Sequence, residues 1–549
     1  MADFFKNNKW LLIIFAVFVV TRFFGLGQIY HQDEYRWATY VNPAFDEGSG
    51  VHPPLTWLFL SLAGSVLGYD NLRVVPFLFS IFNLWLIYLV SLKISGNKKT
   101  ALFATAIFVI NVYAFISNLQ IDIDGATLPF FVLLGYYAYL HISEKKITKR
   151  WLLVFCVAIV GGFLTKLSFL LFIGALIVDW LLGLYYSQEK MVLKVVLKKT
   201  WPWALGFLAA LGTLSYFYIT KLVVVVEYAE NFRSFNFASR AYFDLVFKIF
   251  KSLVWLSPLL ALPVLYGFFK KDVLVKYRAL FVYLFINLIF YLVLFDFSTL
   301  TVERYFMFLI IPAVLISAQV MSDFLDKQHV RKNFYFIAAA VFVLASCVIF
   351  FLPHDVLPLN PKEAYVDRIR TLDFRFLIPF TGGSGPSGFY FSALFIILSW
   401  MIAIGSFGLV VLKKNRNLFL VLFIVFGVGY NLVFDNEYLF GTVYGSVDKV
   451  AKETIDYVNS SNEAKRIITH YDIGAYYLRL SGKYYSRFYT APKRDYLPKI
   501  TAYRGQYMIV DFPAIEKGGR YWPLIERCPL LKKFQDKKVE SYVFDCSKI

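Results

Sequence analysis

The chain alternates apolar runs with short polar segments, on a length scale set by a bilayer rather than by a soluble core. A membrane-crossing helix takes roughly 20 apolar residues, and in lipid only a helix satisfies its own backbone. Thirteen such runs are legible, near 10–26, 74–92, 100–117, 125–141, 151–165, 167–186, 201–222, 248–269, 279–296, 305–321, 333–352, 389–411 and 417–434. The first follows Lys6 and Lys9 and lacks a small-residue cleavage site, so it reads as a retained helix rather than a signal peptide. The fifth and sixth meet at Thr165-Lys166 and read as a tight helical hairpin.

Past Phe440 the pattern changes. Val447, Val450, Ile455 and Val458 fall at helical spacing, whereas Arg466–Thr469, Tyr507–Val510 and Ser541–Phe544 are rich in β-branched and aromatic residues, as strands are. The expected architecture is mainly α-helical and transmembrane over 1–440, with a small α/β domain over 441–549.

Composition agrees: 59% of the 549 residues are hydrophobic and 20% aromatic. The net charge of +19 changes the picture only through its distribution. The Lys and Arg residues lie in short runs between spans, which argues against a nucleic-acid partner and for loop anchors. Thirteen spans put the runs at Lys98-Lys99, Lys145–Arg150, Lys190–Lys199, Lys270–Arg278 and Lys413–Arg416 on one side, with the N-terminus. The positive-inside rule makes that side the cytoplasm, and the tail then lies outside. Cys156 and Cys347 sit within spans, whereas Cys528 and Cys546 lie in the tail and are a candidate disulfide in an oxidising compartment. Spacing alone does not establish the bond.

The candidate chemistry lies on the outer side. Carboxylates at the edge of a hydrocarbon core are costly without a partner or a task. Asp33 and Glu34 follow the first span, and Asp122 and Asp124 precede the fourth. Such groups accept a proton from a hydroxyl or hold a divalent cation. Lys166, Arg304 and His52 lie at the same level and suit a phosphate; Arg233 and Arg240 are further cations on an outer loop. A solvated loop carboxylate and a snorkelling lysine are the plain alternatives. The glycine-rich stretch 381–388 has the composition of a lid or hinge.

In order and spacing these motifs resemble the polytopic GT-C glycosyltransferases, specifically the branch with protein O-mannosyltransferases and the lipid A aminoarabinose transferase. The residues carrying the resemblance are Asp33-Glu34-Tyr35-Arg36, His52-Pro53-Pro54-Leu55, Asp122-Ile123-Asp124-Gly125, Leu164-Thr165-Lys166 and Glu303-Arg304-Tyr305. The resemblance implies a sugar transferred, with inversion, from a polyprenyl-phosphate carrier to a lipid, protein or polysaccharide acceptor outside the plasma membrane. It makes Asp33 the general base or acceptor-orienting group, with Glu34 beside it and Asp122 or Asp124 as the second acidic site. His52, Lys166, Arg304 and Tyr305 fall to the donor phosphate, with Arg233 and Arg240 behind them. The family often has Lys where His52 stands, and imidazole is the weaker cation at neutral pH. Asp122 and Asp124 permit a Mg2+ or Mn2+ ion without demanding one. The rival readings are a lipid or sugar transporter and a non-catalytic envelope assembly protein. The paired inverted repeats and midplane charges of transporters are not seen in the sequence.

Overall fold

The computed structural model describes residues 8–31, 33–45, 47, 54–143, 148–186, 212, 242–294, 303–326, 332–358, 363–380, 388–412, 416–488, 507–511, 514–519 and 521–547. The first helices are α1 (Lys9–Phe23), α2 (Asp33–Val41), α3 (Pro54–Leu67) and α4 (Val74–Ser95). Next come α5 (Lys98–Ile110), α6 (Val112–Leu119), a π turn (Ile123–Thr127), α7 (Leu128–Ile142), α8 (Lys149–Thr165) and α9 (Phe169–Tyr186). Then follow α10 (Tyr242–Leu256), α11 (Pro258–Phe268), α12 (Lys271–Lys276) and α13 (Arg278–Ile289), which a π segment (Phe290–Leu294) extends. A 3-10 turn (Glu303–Leu309) leads into α14 (Ile310–Asp326), followed by α15 (Lys332–Phe351).

Six of the described helical stretches are long and apolar enough to cross a membrane, or eight if two bent pairs each count as one span. The helices at 9–23, 149–165, 169–186 and 278–294 match four more expected spans but are shorter or less apolar; all of 201–222 except residue 212 lies outside the described residues. The protein is an integral membrane protein. Its apolar residues show which helices face lipid: the Tyr305–Asp326 stretch is 83% buried, whereas only 17% of Asn333–Phe351 is. The first is the axis of the bundle and the second its rim.

The two bends differ in cause. At Asn111 the chain turns by 66° between α5 and α6, where Asn111 is extended and its side chain caps α6 by accepting from Ala114 N; at Ser257 it turns by 101° before Pro258. A proline removes a helical hydrogen bond, which accounts for the second break. Ser257 adopts φ +68°, rare for a residue other than glycine. Each break leaves polar groups in the core, and Asn431 bonds to one at each. Its Oδ1 accepts from Val112 N at 3.0 Å, and its Nδ2 donates to Ser257 Oγ at 3.1 Å. The bend at Asn111 positions the candidate site, because α6 leads directly into the Asp122–Asp124 loop.

Two expected spans start differently. The run at 389–411 begins as a strand, and its helix starts only after Ser392, whose Oγ caps it by accepting from Phe395 N. The run at 125–141 opens with the π turn. The segment expected as a plain outer loop before 389 holds β1 (Asp355–Val356), α16 (Glu363–Arg370) and β2 (Phe376–Phe380), and with β3 (Phe389–Ser392) makes a three-stranded sheet in the order β1-β2-β3. Phe380 and Phe391 pack edge-on against the buried Trp255. Residues 381–387 of the glycine-rich stretch lie outside the described residues.

The last long helices are α17 (Ala393–Val411) and α18 (Arg416–Phe440). After them come α19 (Val447–Ser460), β4 (Ile467–His470), α20 (Ala475–Leu480), β5 (Tyr484–Phe488), β6 (Tyr507–Asp511), α21 (Trp522–Ile525), β7 (Leu530–Asp536) and β8 (Val539–Asp545). The strands form one sheet in the order β5-β4-β6-β8-β7, parallel across its first three and antiparallel beyond. A disulfide joins Cys528 to Cys546. The sheet unit sits on the loop end of the bundle: Asp448 Oδ1 accepts from Ile29 N at 2.8 Å, and Tyr476 Oη accepts from Asn42 Nδ2 at 3.0 Å.

Candidate active site

The chain leaves α1 and re-enters helix at Asp33, where two carboxylates in the first turn suit the positive end of the helix dipole. They divide. Glu34 turns inward: its Oε2 accepts from Arg73 Nη2 at 2.7 Å and from His31 N at 3.3 Å, and its Oε1 accepts from Ile121 N at 3.0 Å. Arg73 also donates to Ile29 O at 2.9 Å and Leu119 O at 3.0 Å. Neither side chain has any exposed surface. The pair therefore staples three segments (29–34, the head of α4 and 119–121) into one floor. Burial pushes the Glu34 carboxyl up to about 7, against the pull of the Arg73 guanidinium. Asp33 keeps a fifth of its side chain exposed and pairs with Arg36 one turn on, at 3.0 Å.

Two residues past Ile121 the backbone enters the π turn. Asp122 is extended, and its Oδ1 accepts from Ile123 N at 2.6 Å, capping the turn. Gly125 lets the turn pack against α6, since a Cβ there would lie 2.5 Å from Ser117 O. Asp124 is mostly buried, and both its oxygens accept from Lys166 Nζ at 2.6 Å. Lys166 sits at the sharp turn between α8 and α9, in extended backbone conformation. Its ammonium lies 4.6 Å from the Tyr305 ring centre, within cation–π range. Around Asp124 opens a narrow cleft lined by Ser168, Asn287, Tyr291, Tyr305 and Phe308, aromatic on its walls and polar at a few points.

Asp33 and Glu34, Asp122 and Asp124, Lys166 and Tyr305 are thus linked in one chain of contacts, although they come from four parts of the sequence. The side chains of Glu303 and Arg304, and all of His52, Arg233 and Arg240, lie outside the described residues. Among the described residues no three His, Cys, Asp or Glu side chains gather as a metal site. Asp122 and Asp124 fit a divalent ion poorly: one caps its own turn, and the other already has an ammonium across both oxygens.

Sequence reasoning missed Arg73 and a contact from the tail. Arg73 has the signal used for Lys166, a cation at the edge of an apolar span. The tail contact has no local signal. Arg487 Nη1 donates to Asp472 Oδ2 at 2.6 Å and to Tyr35 Oη at 3.2 Å, across 452 positions from the helix that carries Asp33. Asp472 lies in a turn where Tyr471, Asp472 and Gly474 all have positive φ.

The family model described as dolichyl-phosphate-mannose-protein mannosyltransferase matches residues 51–219. The fold is that of ArnT from Cupriavidus metallidurans. The apo crystal structure of that protein superposes with a TM-score of 0.57 at 12% identity, covering 99% of both chains. The same protein bound to undecaprenyl phosphate gives 0.54 at 14% identity over 98% of both chains. No curated protein matches the sequence significantly. The chain resembles the GT-C glycosyltransferases of the protein mannosyltransferase and ArnT branch, by its matched segment and by its fold over nearly its whole length.

Proposed function

We propose that this protein is a membrane glycosyltransferase that moves a monosaccharide from a polyprenyl-phosphate carrier to a hydroxyl or phosphate of a lipid, protein or polysaccharide acceptor. The Asp124–Lys166 pair under Tyr305, in a cleft at the same end as Asp33, carries this reading. The bound lipid named for the similar ArnT crystal structure supports the choice of carrier.

In the reaction the bond between the anomeric carbon and the carrier phosphate oxygen breaks, and the phosphate leaves with the electron pair. Negative charge grows on that oxygen, and fixed cations stabilise it most where water is excluded. Lys166 supplies one such cation, and the resemblance gives Arg304 the same role. The acceptor oxygen attacks from the opposite face, which inverts the anomeric centre, and Asp33 takes its proton. For a phosphate acceptor, already anionic, Asp33 orients rather than deprotonates. Glu34 holds the helix that presents Asp33. Lys166 makes a metal unnecessary on this reading, because it places positive charge where a cation would otherwise be recruited.

Thirteen spans, a cytoplasmic N-terminus and an extracytoplasmic tail complete the proposal. The Cys528–Cys546 bond supports the last point, since structural disulfides persist in oxidising compartments. The test is transfer from a panel of radiolabelled polyprenyl-phosphate sugars into a membrane extract, by the full chain in lipid. Asp33→Asn is run alongside, with and without chelator. Transfer that needs Asp33 and ignores chelator is expected. Equal transfer by folded Asp33→Asn removes that residue from its role, and no transfer from any donor overturns the class.

A further inference from the structure

The end of the bundle away from this site holds a second polar cleft that glycosyl transfer leaves unused. The same three helices reach both. Leu128, Phe169 and Tyr291 border the first cleft, whereas Tyr139, Asp179 and Arg278, near the far ends of α7, α9 and α13, border the second. Tyr139 follows Leu128 by eleven positions of helix, about 17 Å at 1.5 Å per residue. The second cleft has a volume of about 290 Å³, near the lower limit of roughly 300–1,000 Å³ for small-ligand pockets.

Its charges are arranged to hold one guanidinium. Asp179 is buried in an otherwise apolar helix, where a lone carboxylate is costly. Its Oδ1 accepts from Arg278 Nε at 2.6 Å, its Oδ2 from Tyr139 Oη at 2.7 Å, and its backbone carbonyl from Arg278 Nη2 at 3.0 Å. These bonds use Nε and Nη2 and leave Nη1 for a further acceptor. Gly183 makes room beside them, since a Cβ there would lie 3.2 Å from Nη2. Lys276 lines the same cleft and donates to Gln319 Oε1 at 3.0 Å. The lining therefore carries two cations against one carboxylate. Lys149-Arg150 and Lys270-Lys271 flank it in sequence and lie at the same end. Beside it, Leu181 and Val275 are 50% and 60% exposed apolar residues, which in a membrane protein face acyl chains.

We propose that this cleft binds the phosphate of an anionic phospholipid, in the leaflet opposite the candidate active site. Arg278, oriented by Asp179 and Tyr139, and Lys276 receive the phosphate, while the acyl chains pass over Leu181 and Val275. Trp180 and Tyr139 are of the types enriched at the membrane interface. The site requires only that the chain sits in a bilayer, so it stands apart from the proposed glycosyl transfer. In the orientation proposed above it faces the cytoplasmic leaflet, whose anionic lipids attract basic segments next to the membrane.

The test is native mass spectrometry of the full chain extracted from nanodiscs of phosphatidylcholine with and without phosphatidylglycerol. Inorganic phosphate serves as competitor, and thermal midpoints check the fold. Wild type is expected to retain phosphatidylglycerol several-fold over phosphatidylcholine, with phosphate unable to displace it. Lys276→Gln, and Gly183→Leu, which crowds Arg278, should each cut that retention by at least half and leave phosphatidylcholine unchanged. Should the leucine variant misfold, Lys276→Gln decides alone. Undiminished retention in folded Lys276→Gln overturns the site, and full displacement by phosphate overturns the lipid as its ligand.

Discussion

The Glu34–Arg73 and Asp124–Lys166 pairs lie a few residues apart along the same loop floor, and both join an acid to a base across the fold. Glu34 and Arg73 have no exposed side-chain surface, and the carboxylate takes further bonds from the backbone of two loops. Asp124 and Lys166 retain 9% and 15% exposure, Asp124 lines a cleft, and Lys166 has an aromatic ring as its neighbour. The first pair is closed and has no place for a ligand. The second keeps some exposure, as the proposed binding of a donor phosphate requires. Burial therefore separates a structural staple from a site more clearly than residue type does, and the pairs can be told apart by breaking them.

The largest effect belongs to the closed pair. Arg73→Ala or Glu34→Ala leaves the remaining charge buried without compensation, which costs about 3–5 kcal/mol. We expect loss of folded protein, read by thermal unfolding in lipid. The pair also makes a pH prediction. The Glu34 pKa of about 7 lies above its ordinary value, so between about 4.5 and 7 the folded state binds more protons than the unfolded state. Stability is therefore highest below this window and falls as pH rises through it. The thermal midpoint should drop from pH 5 to pH 7.5, and Glu34→Gln, although less stable, should lose the slope.

The open pair should behave in the opposite way. Lys166→Ala should keep most of the fold and lose about 10²–10³-fold in kcat/KM, the scale of removing one fixed charge-stabilising group. Lys166→Arg should recover part of it. A Lys166→Ala protein that unfolds as readily as Arg73→Ala would erase the distinction between the pairs. Gly125→Ala follows in size. Its Cβ would meet Ser117 O at 2.5 Å, and overpacking of this kind costs about 1–3 kcal/mol. The turn that carries Asp124 must then shift, so transfer should fall further than stability does.

Much of this was legible in the sequence, for physical reasons. Length and hydropathy locate the helices because lipid imposes both, and the split at Thr165-Lys166 follows because basic loops must share a side. Asp33, Asp124 and Lys166 stood out as charges at span edges, and Tyr305 entered through the family resemblance. The bends at Asn111 and Ser257 did not, because an apolar run reads the same whether straight or broken, and the polar groups that repair both breaks come from Asn431, far along the chain. Nor did the separate fates of Asp33 and Glu34, adjacent residues of similar chemistry. Which one turns inward is set by Arg73 and the backbone of Ile121, and only the fold brings those together. The tail's contact to Tyr35 was hidden for the same reason.

The smallest effect sharpens the contrast within that adjacent couple. Asp33 pairs with Arg36 in a bridge whose members are 20% and 37% exposed. Exposed pairs of this kind contribute about 0–1 kcal/mol, so Arg36→Gln should leave the thermal midpoint almost unchanged, unlike any break in the Glu34 pair one residue away. If Asp33 works on the acceptor, loss of its neighbouring cation also frees it from one contact. Transfer should then change only a few-fold, chiefly in the acceptor's KM rather than the donor's. A large loss of stability in Arg36→Gln would place Asp33 in the same structural floor as Glu34 and leave the open side of the site to Asp124 and Lys166 alone.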